Sequence, residues 1–109
     1  VADIFDMIAA SETKTGRLSV DGGPSENPYL MQMVAGLLSH PVTPCKDSET
    51  SAIGAAYLAG LATGFWQSLE ELSGLMARGQ TFAPNMPEKD RKTLRTIWKD
   101  AVARTTLRL

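Results

Sequence analysis

One segment, TSAIGAAYLAGLAT at residues 50–63, restricts the fold more than any other part of the sequence. It is predicted to form a helix, and it carries no charged side chain after Glu49. A helix that is apolar on all sides is normally buried. Each glycine inside it costs about 1 kcal/mol relative to alanine, so close packing against other backbone must offset that loss. The small residues that keep the helix thin are Ala52, Gly54, Ala55, Ala56, Ala59, Gly60 and Ala62.

Short strands alternate with helices in the first half of the chain, and helices fill most of the second half. The hydrophobic periodicity and the glycine and proline positions predict this order. The strands are expected at residues 17–20 and 41–43, and the helices at residues 2–10, 28–40, 50–63, 68–77 and 87–104. The segment RGQTFAPNMPE, residues 78–88, is expected to be irregular up to the beginning of the last helix near Pro87. The pattern predicts an α/β, helix-rich chain with too few strands to make a sheet of its own.

Helical spacing also predicts which side chains face the core. In the first helix these are Ile4, Phe5, Ile8 and Ala9. In the second helix they are Leu30, Met33, Val34, Leu37 and Leu38. In the last helix they are Leu94, Ile97, Trp98, Ala101 and Thr105. Ser68 and Glu71 are spaced as a capping box for the helix that follows them. Trp66 and Trp98 are interpreted as packing anchors. His40 is expected to be exposed to solvent or to cap a helix end.

Charge and composition exclude several classes of protein. A net charge of -1 and a pI near 5.8 argue against a nucleic-acid-binding module, which normally has a basic face. Cys45 is the only cysteine, which excludes an intrachain disulfide and is compatible with a reducing cytoplasm. No membrane span or secretion signal is predicted. Because an expected helix begins immediately after Val1, the chain is expected to be an excised piece of a longer protein.

The segment DGGPSEN, residues 21–27, is the candidate for ligand binding. Two adjacent glycines let a flat ligand approach the main chain, and a helix N-terminus presents N–H groups and partial positive charge to phosphate. Asn27 is the favoured helix cap, with Pro28 in the first turn and Ser25 as the competing cap. On these residues alone, Gly22 and Gly23 are more often a plain turn between strand and helix. A plain cap is an alternative for Asn27, which can also cap the helix and bind a ligand at once.

The segment LSVDGGPSENPYLMQ, residues 18–32, resembles the adenosine motif of the FGGY carbohydrate kinases. The resemblance continues through ETSAIGAAYLAGLATGFW and TFAPNM to WKDAV in the last helix. Within the family the pattern is more similar to glycerol kinases than to xylulokinases or gluconokinases. It implies an actin-like, ribonuclease-H-like ATPase fold of two lobes. Residues 1–109 would then be the C-terminal part of the nucleotide-binding lobe, an incomplete domain.

The resemblance also implies a site and a reaction. Gly23 and Asn27 match family positions that contact the nucleotide, and Gly22 belongs to the same turn. The implied cofactors are ATP and Mg²⁺, with the metal held mainly by residues outside this chain. The implied reaction is phosphorylation of glycerol to glycerol 3-phosphate by the parent enzyme. No catalytic residue is assigned here, and the chain alone is expected to be inactive.

Other expectations remain open beside this one. The implied partners are ATP and a small polyol, with no nucleic acid, and a homo-oligomer is one option. Another FGGY sugar kinase acting on xylulose or gluconate is an alternative, as is a non-catalytic nucleotide-binding relative. A third alternative is an assembly module, because the thin helix of residues 50–63 must pack somewhere. Asp21 is interpreted as an acid that stabilises the turn, with contact to ribose or metal as the rival interpretation.

Overall fold

The computed structural model describes residues 1–107, which contain five α-helices and two short strands. The helices are α1 (Ala2–Ala10), α2 (Pro28–Leu38), α3 (Thr50–Ala62), α4 (Leu69–Leu75) and α5 (Glu88–Thr106), and the strands are β1 (Leu18–Val20) and β2 (Val42–Pro44). Each predicted element is present, and α5 runs two residues beyond its predicted end. No helix in these residues combines the length and the apolar character needed to cross a bilayer.

The two strands pair in parallel, with Leu18 opposite Val42 and Val20 opposite Pro44. The prediction that the chain has too few strands for a sheet was therefore wrong. Parallel pairing requires a long crossover connection, and α2 supplies it. The segment predicted to be irregular adds a partner on the other side of β2. There Phe82 and Val42 exchange two backbone hydrogen bonds, of 3.0 and 2.8 Å.

The core lies between α2 and the strands. Val42 and Ala35 are completely buried, and Met31 and Leu38 are nearly so. The predicted inner face of α2 is therefore only partly right, because Leu30 is 39% exposed while Met31 and Ala35 face the strands. The buried face of α2 differs from the predicted face because the helix packs against other elements on two sides. The half-buried hydrophobic side chains around this core are Ala2, Phe5, Leu18, Val20, Val34 and Phe82.

The first helix also turns a different face inward from the one predicted. Phe5 packs against the core, with its ring centroid 5.1 Å from that of His40, but Ile4 is 64% exposed. Polar contacts to α5 fix this orientation, because Asp3 and Asp6 point to that helix. His40 is neither free nor a cap: its Nε2 lies 2.8 Å from the carbonyl oxygen of Gly16.

The thin helix α3 forms as predicted but is not buried by the described residues. None of its side chains is buried, and Leu58 is 68% exposed. Among the described residues, α4, Trp66 and the segments around Cys45 and Met76 lie beside its apolar surface without covering it. Close approach does occur at Gly60, where an added Cβ would lie 2.3 Å from the Trp66 indole. At Gly54 the same atom would meet open space.

The short helix α4 begins with a modified capping box. Ser68 Oγ accepts a hydrogen bond from the Glu71 N–H at 3.2 Å, as the sequence predicts. The return bond differs, because Glu71 Oε2 accepts from the N–H of Gln67, one residue before the cap, at 2.8 Å. Both bonds satisfy amides at the beginning of the helix, which otherwise have no partner within it.

Helices α1 and α5 are held together by an ion pair and by a hydrogen bond from a tryptophan N–H to a carboxylate. The Arg95 guanidinium, 13% exposed, donates to Asp6 and lies 3.7 Å from an oxygen of Asp3. Trp98 Nε1 donates to the other oxygen of Asp3 at 2.7 Å. Trp98 contacts α1 through its N–H, but its side chain is 54% exposed and Ile97 is 60% exposed, so the predicted inner face of α5 is not buried by the described residues. These contacts join residues about 90 positions apart in the sequence.

We expect Asp6→Asn to lower the free energy of unfolding at pH 7 by about 0.5 kcal/mol, because water screens this half-exposed carboxylate. The hydrogen bond from Arg95, and then its charge, hold the pKa of Asp6 below its ordinary value of 3.8. Such a group stabilises the fold above the unfolded-state pKa and loses that effect as pH falls through the folded-state pKa. Urea titrations should therefore differ at pH 7 and converge as the pH falls through the lowered folded-state pKa of Asp6.

The control is Glu12→Gln, which removes an exposed carboxylate that makes no ion pair among the described residues. A difference between wild type and Asp6→Asn that persists unchanged at low pH would contradict the assigned role of the Arg95 pair.

Candidate functional site

The candidate residues lie in one continuous turn between β1 and α2. Gly22 has φ 88° and ψ 167°, a conformation that residues with a Cβ rarely adopt. Residues Gly23–Glu26 then form a single 3-10 turn. Asn27 follows in an extended conformation and begins α2. The structure therefore brings Gly22, Gly23 and Asn27 together at one edge of the small sheet.

Hydrogen bonds inside the turn settle which residue caps α2. Asn27 Oδ1 accepts from the N–H of Leu30 at 3.2 Å, so Asn27 is the cap. The competing prediction, Ser25, was wrong because its side chain is used elsewhere. Ser25 Oγ donates to the carbonyl oxygen of Gly22 at 2.6 Å, and the Ser25 N–H donates to the same oxygen at 3.0 Å.

The main chain at Gly23 is open to a ligand. An added Cβ at this position would have no heavy atom within 4 Å, and Gly23 is exposed. Its φ is also outside the left-handed region, so its lack of a side chain is not required by backbone strain. A flat group can therefore come close to the peptide plane at this point.

Asn27 remains able to bind a ligand while it caps the helix. The side chain is exposed, and the cap uses only its oxygen. The two amide N–H groups are left as donors. A cap and a ligand contact are thus compatible at this position.

The helix end offers fewer free amides than the sequence suggests. Pro28 has no N–H, Leu30 donates to the Asn27 side chain, and Met31 donates to the Asn27 carbonyl oxygen at 3.1 Å. Of the first four residues, only Tyr29 keeps an N–H that the cap does not use. The turn is therefore better suited to a flat base or a sugar than to phosphate groups.

Asp21 connects the turn to α3. Its Oδ2 accepts a hydrogen bond from Thr50 Oγ1, at the first residue of that helix. This supports the interpretation of Asp21 as a stabilising acid. Sequence reasoning missed Thr50, because a single threonine 29 residues away gives no local signal. It also kept Ser25 only as a competing cap and gave no account of its bond to the Gly22 carbonyl oxygen.

Two cavities of the described residues lie away from this turn. A groove of about 450 Å³ runs between α1, α2 and α5, and a depression of about 370 Å³ separates α3 from α4. Gly22, Gly23 and Asn27 line neither of them. The turn is thus an open surface rather than part of either cavity.

Similarity to known proteins identifies the family of this chain. Residues 1–63, more than half of the chain, match the FGGY family of carbohydrate kinases, C-terminal domain. The chain belongs to this family of carbohydrate kinases. Among its curated relatives are the glycerol kinase of Enterococcus casseliflavus, 50% identical over 88 residues, and that of Enterococcus faecalis, 48% identical over 106 residues. These matches cover 81% and 94% of this chain, but only 17% and 21% of the relatives.

Solved structures of the family share the fold. A structure described as Plasmodium falciparum glycerol kinase with ADP superposes with a TM-score of 0.75 at 28% identity, over 98% of this chain and 22% of the other. The xylulose kinase of Lactobacillus acidophilus gives 0.64 at 22% identity, over 88% of this chain and 20% of the other. The predicted fold class, a helix-rich part of an actin-like ATPase fold, is confirmed. The chain spans about one fifth of the length of the relatives it matches.

We expect alanine to destabilise the protein at Gly22 and to have little effect at the adjacent Gly23. Gly22→Ala should lower the free energy of unfolding by about 1–2 kcal/mol, because it places a Cβ on a backbone with φ near 88°. Gly23→Ala should change it by less than about 0.5 kcal/mol, because its Cβ enters open space. Chemical denaturation of both variants tests this. Equal destabilisation would contradict the described turn.

Proposed function

We propose that this segment belongs to an enzyme that transfers the terminal phosphoryl group of ATP to glycerol, giving glycerol 3-phosphate and ADP. Residues 1–109 would be the C-terminal part of its nucleotide-binding lobe. The observation that carries the proposal is the open Gly22–Gly23 turn and its Asn27 cap, in a sequence 50% identical to a glycerol kinase over 88 residues. The chain's own short length and its lack of an assigned catalytic residue make activity of the isolated segment unexpected.

In this proposal Gly22, Gly23 and Asn27 form one wall of the nucleotide site. Gly22 makes the bend, Gly23 gives the base or ribose access to the main chain, and Asn27 donates from its free amide. The Plasmodium falciparum neighbour is described with ADP, which supports a nucleotide ligand for this part of the fold. The scarcity of free amides in the first turn of α2 supports a contact with the nucleoside rather than with the phosphates.

Chemistry at the phosphoryl group is assigned to parts of the enzyme outside this segment. Phosphoryl transfer depends mainly on positioning and on charge neutralisation by Mg²⁺ and hydrogen-bond donors. The described residues contain no cluster of three or more His, Cys, Asp or Glu side chains that could hold a metal ion. In the proposal this segment therefore holds one end of ATP, while Mg²⁺ and the catalytic base are provided elsewhere.

The remaining parts of the proposal concern partners and location. The proposed substrate is a small polyol, and nucleic acid is not a partner. The enzyme is proposed to act in the cytoplasm, and the single cysteine, Cys45, supports that location. A homo-oligomer is proposed as one way to cover exposed apolar side chains such as Leu58 and Phe65. Size-exclusion chromatography with light scattering measures this directly.

A second candidate function is phosphorylation of another sugar. Xylulose and gluconate kinases of Lactobacillus acidophilus share the fold with TM-scores of 0.64, although both are only 22% identical. Glycerol is favoured because curated glycerol kinases reach 42–50% identity over most of this chain. A non-catalytic relative that retains only the nucleotide site is a further alternative, and it would show no turnover on any polyol.

We expect the full-length protein that contains this segment to produce ADP from ATP only when glycerol is present. A coupled assay with glycerol, xylulose and gluconate as separate substrates measures this preference. Turnover of xylulose or gluconate but not glycerol would assign the protein to the alternative sugar kinases. Nucleotide binding without turnover on any of them would assign it to the non-catalytic alternative.

We expect Gly23→Val in the same full-length protein to weaken ATP binding by about tenfold, equal to about 1.4 kcal/mol. The branched side chain would occupy the space that is open at this position, and the following Pro24 limits how the backbone can adjust. Gly23→Ala is the size control and should have a smaller effect. Calorimetric titration with ATP gives both affinities, and an unchanged affinity in the valine variant would place the nucleotide elsewhere.

A further inference from the structure

We propose that the Ser25 hydroxyl is a positioning group for the nucleotide site, acting through the carbonyl oxygen of Gly22. The inference rests on the proposed function, because it assumes that the Gly23 main chain and Asn27 contact the nucleotide. Ser25 itself does not touch the ligand in this proposal. It holds the two contact residues at a fixed separation.

The first observation is the burial of Ser25 in an otherwise exposed turn. Ser25 is 7% exposed and is the buried residue of the Gly23–Glu26 turn, whereas Gly23 and Asn27 on either side are exposed. A buried hydroxyl requires a hydrogen-bond partner. Ser25 Oγ satisfies this requirement at short range, 2.6 Å from the Gly22 carbonyl oxygen.

The second observation is that one carbonyl oxygen accepts both donors of the same residue. The Ser25 N–H reaches the Gly22 oxygen at 3.0 Å, as any 3-10 turn would provide, and the hydroxyl adds a second bond. An alanine at position 25 would keep the backbone bond and the shape of the turn. The specific contribution of serine is therefore the second restraint on the peptide that joins Gly22 to Gly23.

The third observation concerns the peptide group that joins Gly22 to Gly23. The carbonyl group of Gly22 and the N–H of Gly23 belong to the same plane, so fixing the oxygen fixes the orientation of the open main chain at Gly23. Further along, the Asn27 N–H bonds to the Pro24 carbonyl oxygen at 3.2 Å. Ser25 thus lies between the two contact residues and restrains the first of them directly. Gly22 itself needs this restraint most, because glycine has the largest conformational freedom.

The test measures ADP binding by calorimetry and the KM values for ATP and glycerol in the full-length protein. Ser25→Ala should weaken ADP binding about 3- to 10-fold, the effect of losing one neutral hydrogen bond. The KM for ATP should rise by a similar factor, while the KM for glycerol stays unchanged. The matched control is Ser68→Ala, which removes a hydroxyl that accepts one backbone hydrogen bond at α4. It should leave ADP affinity unchanged.

A second pair of variants separates the hydroxyl from side-chain volume. Ser25→Thr and Ser25→Val have nearly the same shape and differ mainly in the hydroxyl group. The threonine variant should bind ADP more tightly than the valine variant by the same 3- to 10-fold factor. This comparison remains informative if Ser25→Ala fails to fold, because both members of the pair carry the same steric cost.

Two results would overturn the inference. One is wild-type ADP affinity in Ser25→Ala with only a lowered melting temperature, which would make Ser25 purely structural. The other is equal ADP affinity in the threonine and valine variants. Failure of the proposed function is recognised separately, since the wild-type protein would then lack glycerol-dependent ADP production before any variant is compared.

Discussion

The packing of α2 over β2 is the contact on which the rest of this structure depends. Ala35 and Val42 are completely buried where the helix meets the strand, and the small side chain of Ala35 lets the two come close. That contact closes the parallel connection from β1 through α2 to β2. The turn at residues 21–27 is the start of this crossover, so its geometry is set by the core on one side. Its other side faces solvent, which leaves the Gly23 main chain available.

A second set of contacts fixes the outer elements around this unit. Arg95 and Trp98 of α5 bind Asp3 and Asp6 of α1, and the Asp21 carboxylate binds Thr50 at the start of α3. These are polar contacts at partly exposed positions, and each contributes little to the free energy of unfolding. Their effect is to orient helices whose apolar faces have few neighbours. In the proposed kinase, Asp21 thereby connects the nucleotide turn to the thin helix.

Local signals in the sequence were sufficient for the elements and for much of the site. Asn27 before Pro28 predicts the helix start correctly, because a cap and a proline act within a few residues. Signals that depend on distant partners failed. The inner face of α2 was shifted because the helix packs against strands and against α5 at once, and the exposed faces of α3 could not be anticipated from its composition. The competing cap, Ser25, could not be dismissed from the sequence, since a hydroxyl can bond either forward to an amide or back to a carbonyl.

The capping bond of Asn27 has a consequence for which bases the turn could distinguish. Only the amide oxygen can accept from the Leu30 N–H, so in the proposed nucleotide site the NH₂ group of Asn27 is the group left to contact a base. Such a group recognises lone pairs, such as those on an unprotonated purine ring nitrogen, and it is repelled by a ring N–H at the same place. The discrimination between adenine and guanine would then begin with a helix cap, and changing the first turn of α2 would alter nucleobase preference.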